Sequence, residues 1–432
     1  MGRRSVDNGL STPGDRVNKL LRHDGKWNSS GIARSLALSL KVLASLRLTV
    51  GCLALAIVLV FWGTLAQVHL GLYQAQNQFF RSLLIWWRPL DANASIPVFP
   101  GGYLIGGVLL MNLLAAHATR LKLKWRKSGI LLAHAGLILL LLGLLLTDLL
   151  STEGTMRLNV GETRNYSEDF RAIELAITAA ATNDSPLVSI PESLVAEQAE
   201  ISNPGLPVKL RVRSYWPNCE LRKRPRARAQ SRGAVPGPFA QDLVLPEITR
   251  GEFAGVAVKP LAPVTATDLR NEPAAVVEVI SRKGSLGAWL VSTAYGAGQS
   301  FDLDGVVYEL ALRYQRHYQP FSVTLLHATH TKYPGTEIAR DFRSRVKIQR
   351  QDTGEVRESE VYMNAPLRYA GFTFFQYQMA ADEKARATSS TLQVVKNPSW
   401  VAPYISCALV AAGLLLQFLL HLVGFLVKRR PA

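Results

Sequence analysis

Ser128–Leu149 reads SGILLAHAGLILLLLGLLLTDL, and this stretch decides the fold. Its only formal charge is Asp148, at the far end. A bilayer core takes about 20 apolar residues of helix, so the stretch reads as a membrane span. One residue is out of character. His134 is a polar, ligating side chain placed in hydrocarbon, and such residues are costly enough to mark function.

Three more windows are long and apolar enough to span: Leu48–Ala66, Val98–Thr119 and Val401–Val427. The second is the weakest, with Pro100, Gly101 and Gly102 at its start and His117 near its end. Between the third and fourth spans lie about 250 residues of ordinary polar composition, enough for a domain of one or two folding units. The expected division is a basic arm 1–45, a three-helix transmembrane region 46–150, a domain 151–400, a fourth helix 401–427 and a tail 428–432.

The net charge of +17 does not indicate nucleic acid, because of where it sits. Lys and Arg crowd into residues 1–47, into Arg120–Lys127 and into Lys428–Arg430, while the rest of the chain is nearly balanced. Basic residues beside spans follow the positive-inside pattern. Both termini and the second–third connection are therefore expected in the cytoplasm, and 67–97 and 151–400 outside. No cleavable leader is visible, so the first span would serve as an uncleaved anchor. Cys52 and Cys407 fall in spans and Cys219 stands alone; there is no Cys-x-x-Cys, which excludes a thiol oxidoreductase acting by itself.

Gln74–Trp87, QAQNQFFRSLLIWW, has an apolar aromatic cluster suited to an interfacial amphipathic helix on the outer face. An aromatic belt that only anchors is the alternative. In 151–400, runs such as 208–215, 275–280, 306–314, 322–327, 344–349 and 372–378 are β-branched and aromatic, with Pro and Gly between them. They predict a β-rich sandwich or barrel-like domain. Leu221–Gly233 is a basic loop for solvent, anionic lipid or a partner.

Depth sorts the histidines. At 1.5 Å per residue, His134 lies about 10 Å in from Lys127, and His421 about 10 Å in from Lys428. His117 lies about 4.5 Å in from Arg120. Neutral imidazole among helices is a good axial ligand for haem iron, but packing or proton relay fits the same residues. A local His134–His421 pair is one arrangement. His327 and His330 form an H-x-x-H pair whose spacing on a strand points the rings to opposite faces, which disfavours a shared metal; His317 is solitary. No P-loop, G-x-S-x-G or H-E-x-x-H motif is present.

Several segments in order carry a resemblance. They are LASLRLTVGCLALAIVLVFWGTLAQ (Leu43–Gln67), KWRKSGILLAHAGLILLLLGLLLT (Lys124–Thr147), EGTMRLNVGE (Glu153–Glu162), DFRSRVKI (Asp341–Ile348) and VYMNAPLRYAGFTFFQYQ (Val361–Gln378). The chain resembles ResB, the membrane subunit of system II cytochrome c biogenesis. The resemblance implies a ResC/CcsA-type partner that holds the Trp-rich haem-handling motif absent here. It implies apocytochrome c as client, a thioredoxin-like thiol reductant as indirect partner, and haem b as the group handled. It also implies that His134 is a membrane haem ligand facing a histidine of the partner; His421 and His117 map to no family motif. The subunit would not be catalytic alone but part of a haem lyase complex, in a bacterial inner membrane rather than a thylakoid. The rivals are a scaffold or sensor without haem and a solute-transport component.

Overall fold

The computed structural model describes residues 38–87, 95–120, 125–179, 188–223, 243–264, 269–336, 339–381 and 387–429. Residues 1–37 of the basic arm, 224–233 of the basic loop and 430–432 of the tail lie outside the described residues. Two compact units divide the chain, a helical one up to Asp148 and from Ser399, and a β one over Leu149–Pro398.

The helical unit contains α1 (Leu46–Leu70), α2 (Gly102–Arg120), α3 (Ser128–Leu150) and α4 (Ala402–Arg429). Each is long and apolar enough to cross a membrane. This is the expected arrangement of three N-terminal helices and one C-terminal helix. Polar groups tie α1 to α2. Asn112 is buried on α2, accepts from Thr49 Oγ1 at 2.7 Å and donates to the Ser45 carbonyl at 3.0 Å. Hydrogen bonds of this kind hold helices together in lipid, where apolar burial between helices supplies little drive.

Small residues hold α3 to α4. Gly129, Gly136 and Gly143 recur every seven residues and are the buried residues of α3. A Cβ at Gly129 would lie 2.5 Å from the Gln417 amide nitrogen and the Gly413 carbonyl. At Gly136 it would meet the Ser406 carbonyl at 2.8 Å, and at Gly143 the Ala402 Cβ at 2.6 Å. The stripe thus lets two backbones approach as no larger residue could. Gln417 adds its carbonyl oxygen to the Ile130 N–H at 3.3 Å.

Two expectations need correction here. The interfacial helix over 74–87 ends early: helix Leu72–Ala75 runs into a π turn, Gln76–Phe80, and stops. Leu84–Trp87 is a strand, β1, paired antiparallel with β2 (Ile96–Pro100). The second span starts at Gly102 rather than Val98 for the same reason. Pro97 and Pro100 cannot extend a helix, and a Cβ on Gly101 or Gly102 would strike the backbone of Ser82 or Phe80. The hairpin turns Ile85 inward and leaves Trp86 and Trp87 exposed.

The β unit is built on a large, nearly closed, barrel-like sheet. Its strands are β3 (Thr152–Asn159), β4 (Thr163–Ala179), β13 (Val306–Lys332), β14 (Ala339–Arg350), β15 (Glu355–Tyr362), β16 (Leu367–Tyr369), β17 (Phe372–Ala381) and β18 (Ala387–Lys396). They run in the order β15-β14-β13-β4-β3-β18-β17-β16, with β5 (Val188–Pro191) beside β4 and β12 (Gln299–Leu303) beside β13, while β8 (Cys219–Lys223) and β9 (Val256–Pro260) form a separate pair. Alternation seals the interior: Met156, Leu158, Leu325, Ile348, Phe374 and Leu392 are all almost fully buried in one cluster. Across it Ser344 Oγ on β14 donates to Gln376 Oε1 at 2.7 Å and lies 2.8 Å from Ser390 Oγ.

The two runs read separately as 306–314 and 322–327 are one strand of 27 residues. Register shifts against β4 at Tyr314/Arg316 and Tyr318/Val323 bend it, as bulges do. The strand therefore serves two cores. Its first half, with β4, packs on a second sheet of β6 (Glu200–Ile201), β7 (Lys209–Trp216), β10 (Ala274–Ser281) and β11 (Gly284–Ser292). On the face of β4 and β13 turned away from that second sheet lies a largely buried ion pair, Arg313 Nε to Glu174 at 2.9 Å, with side chains 13% and 5% exposed.

Candidate functional site

The helical unit brings together two of the three histidines sorted by depth. His134 on α3 lies against His117 on α2, with ring centroids 5.3 Å apart and planes at 73°, an edge-to-face contact. His421 is elsewhere engaged, with Gln417 Nε2 3.3 Å from its Nδ1. The side chain that depth counting ranked as the mate of His134 thus bonds its own helix, and the shallower His117 takes that place. Depth is legible in a sequence; rotation about the helix axis is not.

Each ring is set by its own helix. His134 Nδ1 lies 2.8 Å from the Ile130 carbonyl, and His117 Nδ1 lies 3.3 Å from the Leu113 carbonyl, both four residues back. A carbonyl only accepts, so in both bonds Nδ1 carries the proton and Nε2 carries the lone pair. This backbone bond is the usual way a ligating histidine has its tautomer fixed. His117 Nε2 is buried with no hydrogen-bond partner. Leaving such an atom unsatisfied costs about 1–3 kcal/mol, which stabilising contacts elsewhere must offset or a ligand must relieve.

The donor set suits an iron porphyrin in chemistry, since neutral imidazole nitrogens are its axial ligands. Edge-to-face contact at 5.3 Å leaves no slot for a flat macrocycle between the two rings as they stand. The arrangement therefore fits one imidazole as a ligand with the other beside it, rather than a sandwich of both.

The remaining expected residues lie in the β unit. His317 Nε2 is 3.6 Å from Asp169 Oδ2. Burial alone would raise the Asp169 carboxyl, but the His317 contact and the Arg171 and Ala172 N–H groups outweigh it and hold it below its ordinary value. His327 is exposed, and His330 packs 4.7 Å from the Phe342 ring. Among the described residues no three His, Cys, Asp or Glu side chains gather as a metal site. Cys219 is buried, and burial pushes its thiol up to about 12, so it is not a nucleophile.

Sequence reasoning missed Asn112, the glycine stripe and the Arg81–Asp148 pair at 2.8 Å. The seven-residue glycine period is the one signal that could have announced the α3–α4 contact.

Four helices long and apolar enough to cross a membrane, two of them bringing a pair of histidines into ring contact, and a β-rich barrel-like unit define a class: a multi-pass membrane protein with a large β domain. The comparisons make this narrower. Residues 289–389, from within β11 to the start of β18, match the family model of the ResB-like family, so the resemblance to ResB holds over the part of the barrel-like sheet from β13 to β17. Protein NrfI of Wolinella succinogenes is 30% identical over 117 residues, which cover 27% of this chain. The match spans only 12% of the length of that relative.

Proposed function

We propose that this protein works in cytochrome c biogenesis, as a subunit of a complex that exports haem and attaches it to apocytochrome c. His134 supplies an axial nitrogen to haem b while the haem is in the membrane. The observation that carries this reading is the Nδ1–H bond of His134 to Ile130, which leaves Nε2 as a lone-pair donor. His117, in ring contact, holds the imidazole in place from the next helix. Resemblance to the ResB-like family supports the choice of cargo.

The orientation is supported by the charge pattern, and the partners by the resemblance to ResB. The basic ends of the spans face the cytoplasm, so the histidine pair lies toward the side where haem is made, and the β unit lies outside. A ResC/CcsA-type protein supplies the opposing ligand and the covalent chemistry; this chain is not the catalyst by itself. The β unit positions apocytochrome or the partner, with a thioredoxin-like reductant keeping the client thiols reduced. His421, bonded to Gln417, is a packing residue.

The test is an absorption spectrum of the full chain, purified alone and with its partner. Wild type carries a Soret band in at least one preparation. His134→Ala loses it, and added imidazole restores it. His421→Ala leaves it unchanged, and His117→Ala retains it with a shifted maximum. No Soret band in either wild-type preparation overturns the haem reading and leaves a scaffold or sensor.

A further inference from the structure

We propose that a cavity in the β unit binds a ligand with a carboxylate group and a flat, unsaturated body. The proposal is independent of the haem reading. The cavity has a volume of about 780 Å³ and is walled by β3, β4, β13, β17 and β18.

One wall concentrates positive charge. Register places Thr155 of β3 opposite Glu168 of β4, and Glu168 opposite Arg316 of β13. Arg270 reaches in from a loop and donates to Thr155 Oγ1 at 2.8 Å. Its guanidinium is held between the rings of Phe170 and Tyr314, 4.4 and 4.5 Å from their centroids. Arg157 sits two residues beyond Thr155, on the same face of the strand. Four arginines line the cavity; Arg313 is paired with Glu174, and the other three converge on a row with one carboxylate. Among the described residues Glu168 forms its ion pair with Arg316, at 3.5 Å. Among the described residues, neither Arg157 nor Arg270 pairs with a carboxylate, and Arg316 Nε is buried without a hydrogen-bond partner. Glu309, the other acid lining the cavity, is seven positions along the bent β13, at most about 23 Å away, and accepts the Gly298 N–H at 3.0 Å.

Arg270 is a pre-organised fork. Its rings fix the plane and Thr155 takes one N–H, which leaves the others to meet a planar oxyanion, and carboxylate matches that geometry. The remaining lining includes Phe342, Tyr377 and Met379. Aromatic faces and a thioether favour a flat conjugated body over a bare ion.

The full chain in lipid nanodiscs is titrated calorimetrically with 2-naphthoate, its neutral analogue 2-naphthamide and inorganic phosphate, against empty nanodiscs. Naphthoate is expected to bind at least tenfold more tightly than either of the others. Arg270→Gln lowers its affinity tenfold or more. Arg157→Gln, at an exposed position that cannot cost the fold, lowers it about fivefold and leaves naphthamide unaffected. Equal binding of naphthoate and naphthamide overturns the carboxylate assignment. Phosphate binding as tight as naphthoate overturns the flat body. An unchanged Arg157→Gln overturns the site.

Discussion

Replacing Gly129 by Ala tests whether α3 and α4 meet backbone to backbone. The new Cβ would lie 2.5 Å from both the Gln417 nitrogen and the Gly413 carbonyl oxygen. Ordinary contact is about 3.5 Å, so the helices must part by about 1 Å. Both obstacles are main chain, and no side chain can swing aside. Overpacking of this kind costs about 1–3 kcal/mol, here toward the upper end, while exchanging Gly for Ala in a helix returns about 1 kcal/mol. The net loss is about 2 kcal/mol. Gly51 on α1 is the control, because a Cβ there meets nothing within 4 Å. Gly51→Ala keeps the helix-propensity gain alone, about 1 kcal/mol. The two variants should differ by about 3 kcal/mol, roughly a hundredfold in equilibrium constant. The assay is unfolding of the full chain by sodium dodecyl sulfate in mixed micelles, followed by energy transfer between probes on α3 and α4. Gly413→Ala, whose Cβ would sit 2.5 Å from the Ala133 nitrogen, should match Gly129→Ala, and the double variant should cost less than the sum, since one separation relieves both. If Gly129→Ala and Gly51→Ala shift the midpoint in the same direction, the packing argument is refuted.

Two further predictions concern the β unit. Arg313→Met strands the buried Glu174 carboxylate with only the Ser189 hydroxyl, at 2.6 Å; it should cost about 3–5 kcal/mol in thermal or urea unfolding, and adding Glu174→Gln should recover most of it. Asp169 is held below its ordinary value, so its contribution is complete above about pH 4 and is lost as pH falls through its folded value. Asp169→Asn should therefore be less stable than wild type at pH 7, with the gap closing in acid; a gap that is constant with pH would show that the carboxylate charge is not what the three donors stabilise.

Much of the helical unit could be read from the chain, because a span is a composition as much as a shape. The four apolar runs were legible, and so was a β-rich domain between the third and fourth. The short elements beside the spans were not. QAQNQFFRSLLIWW is amphipathic as a helix, yet Leu84–Trp87 pairs with a partner strand twelve residues on, and the sequence of one strand does not name its mate. The long β13 reads as two runs parted at Pro320, yet that proline lies within one bent strand in three dimensions. At the site, type and depth picked out His134 and His117, but their contact depends on how α2 and α3 are turned toward each other. The arginine wall could not be read at all, because sheet register brings Arg157 and Arg316 together and a loop distant in sequence from both carries Arg270 to them.

The ladder between β3 and β18 has a mechanical meaning. Thr152, the first residue of the sheet, is the partner of Lys396, the last. Entrance and exit of the β unit are therefore neighbours at one end of an antiparallel ladder. A pull on the two chain ends loads one hydrogen-bonded pair at a time, like a zip, and never the whole ladder in shear. The unit should resist heat through its buried barrel interior and yet peel open from its base under a small force.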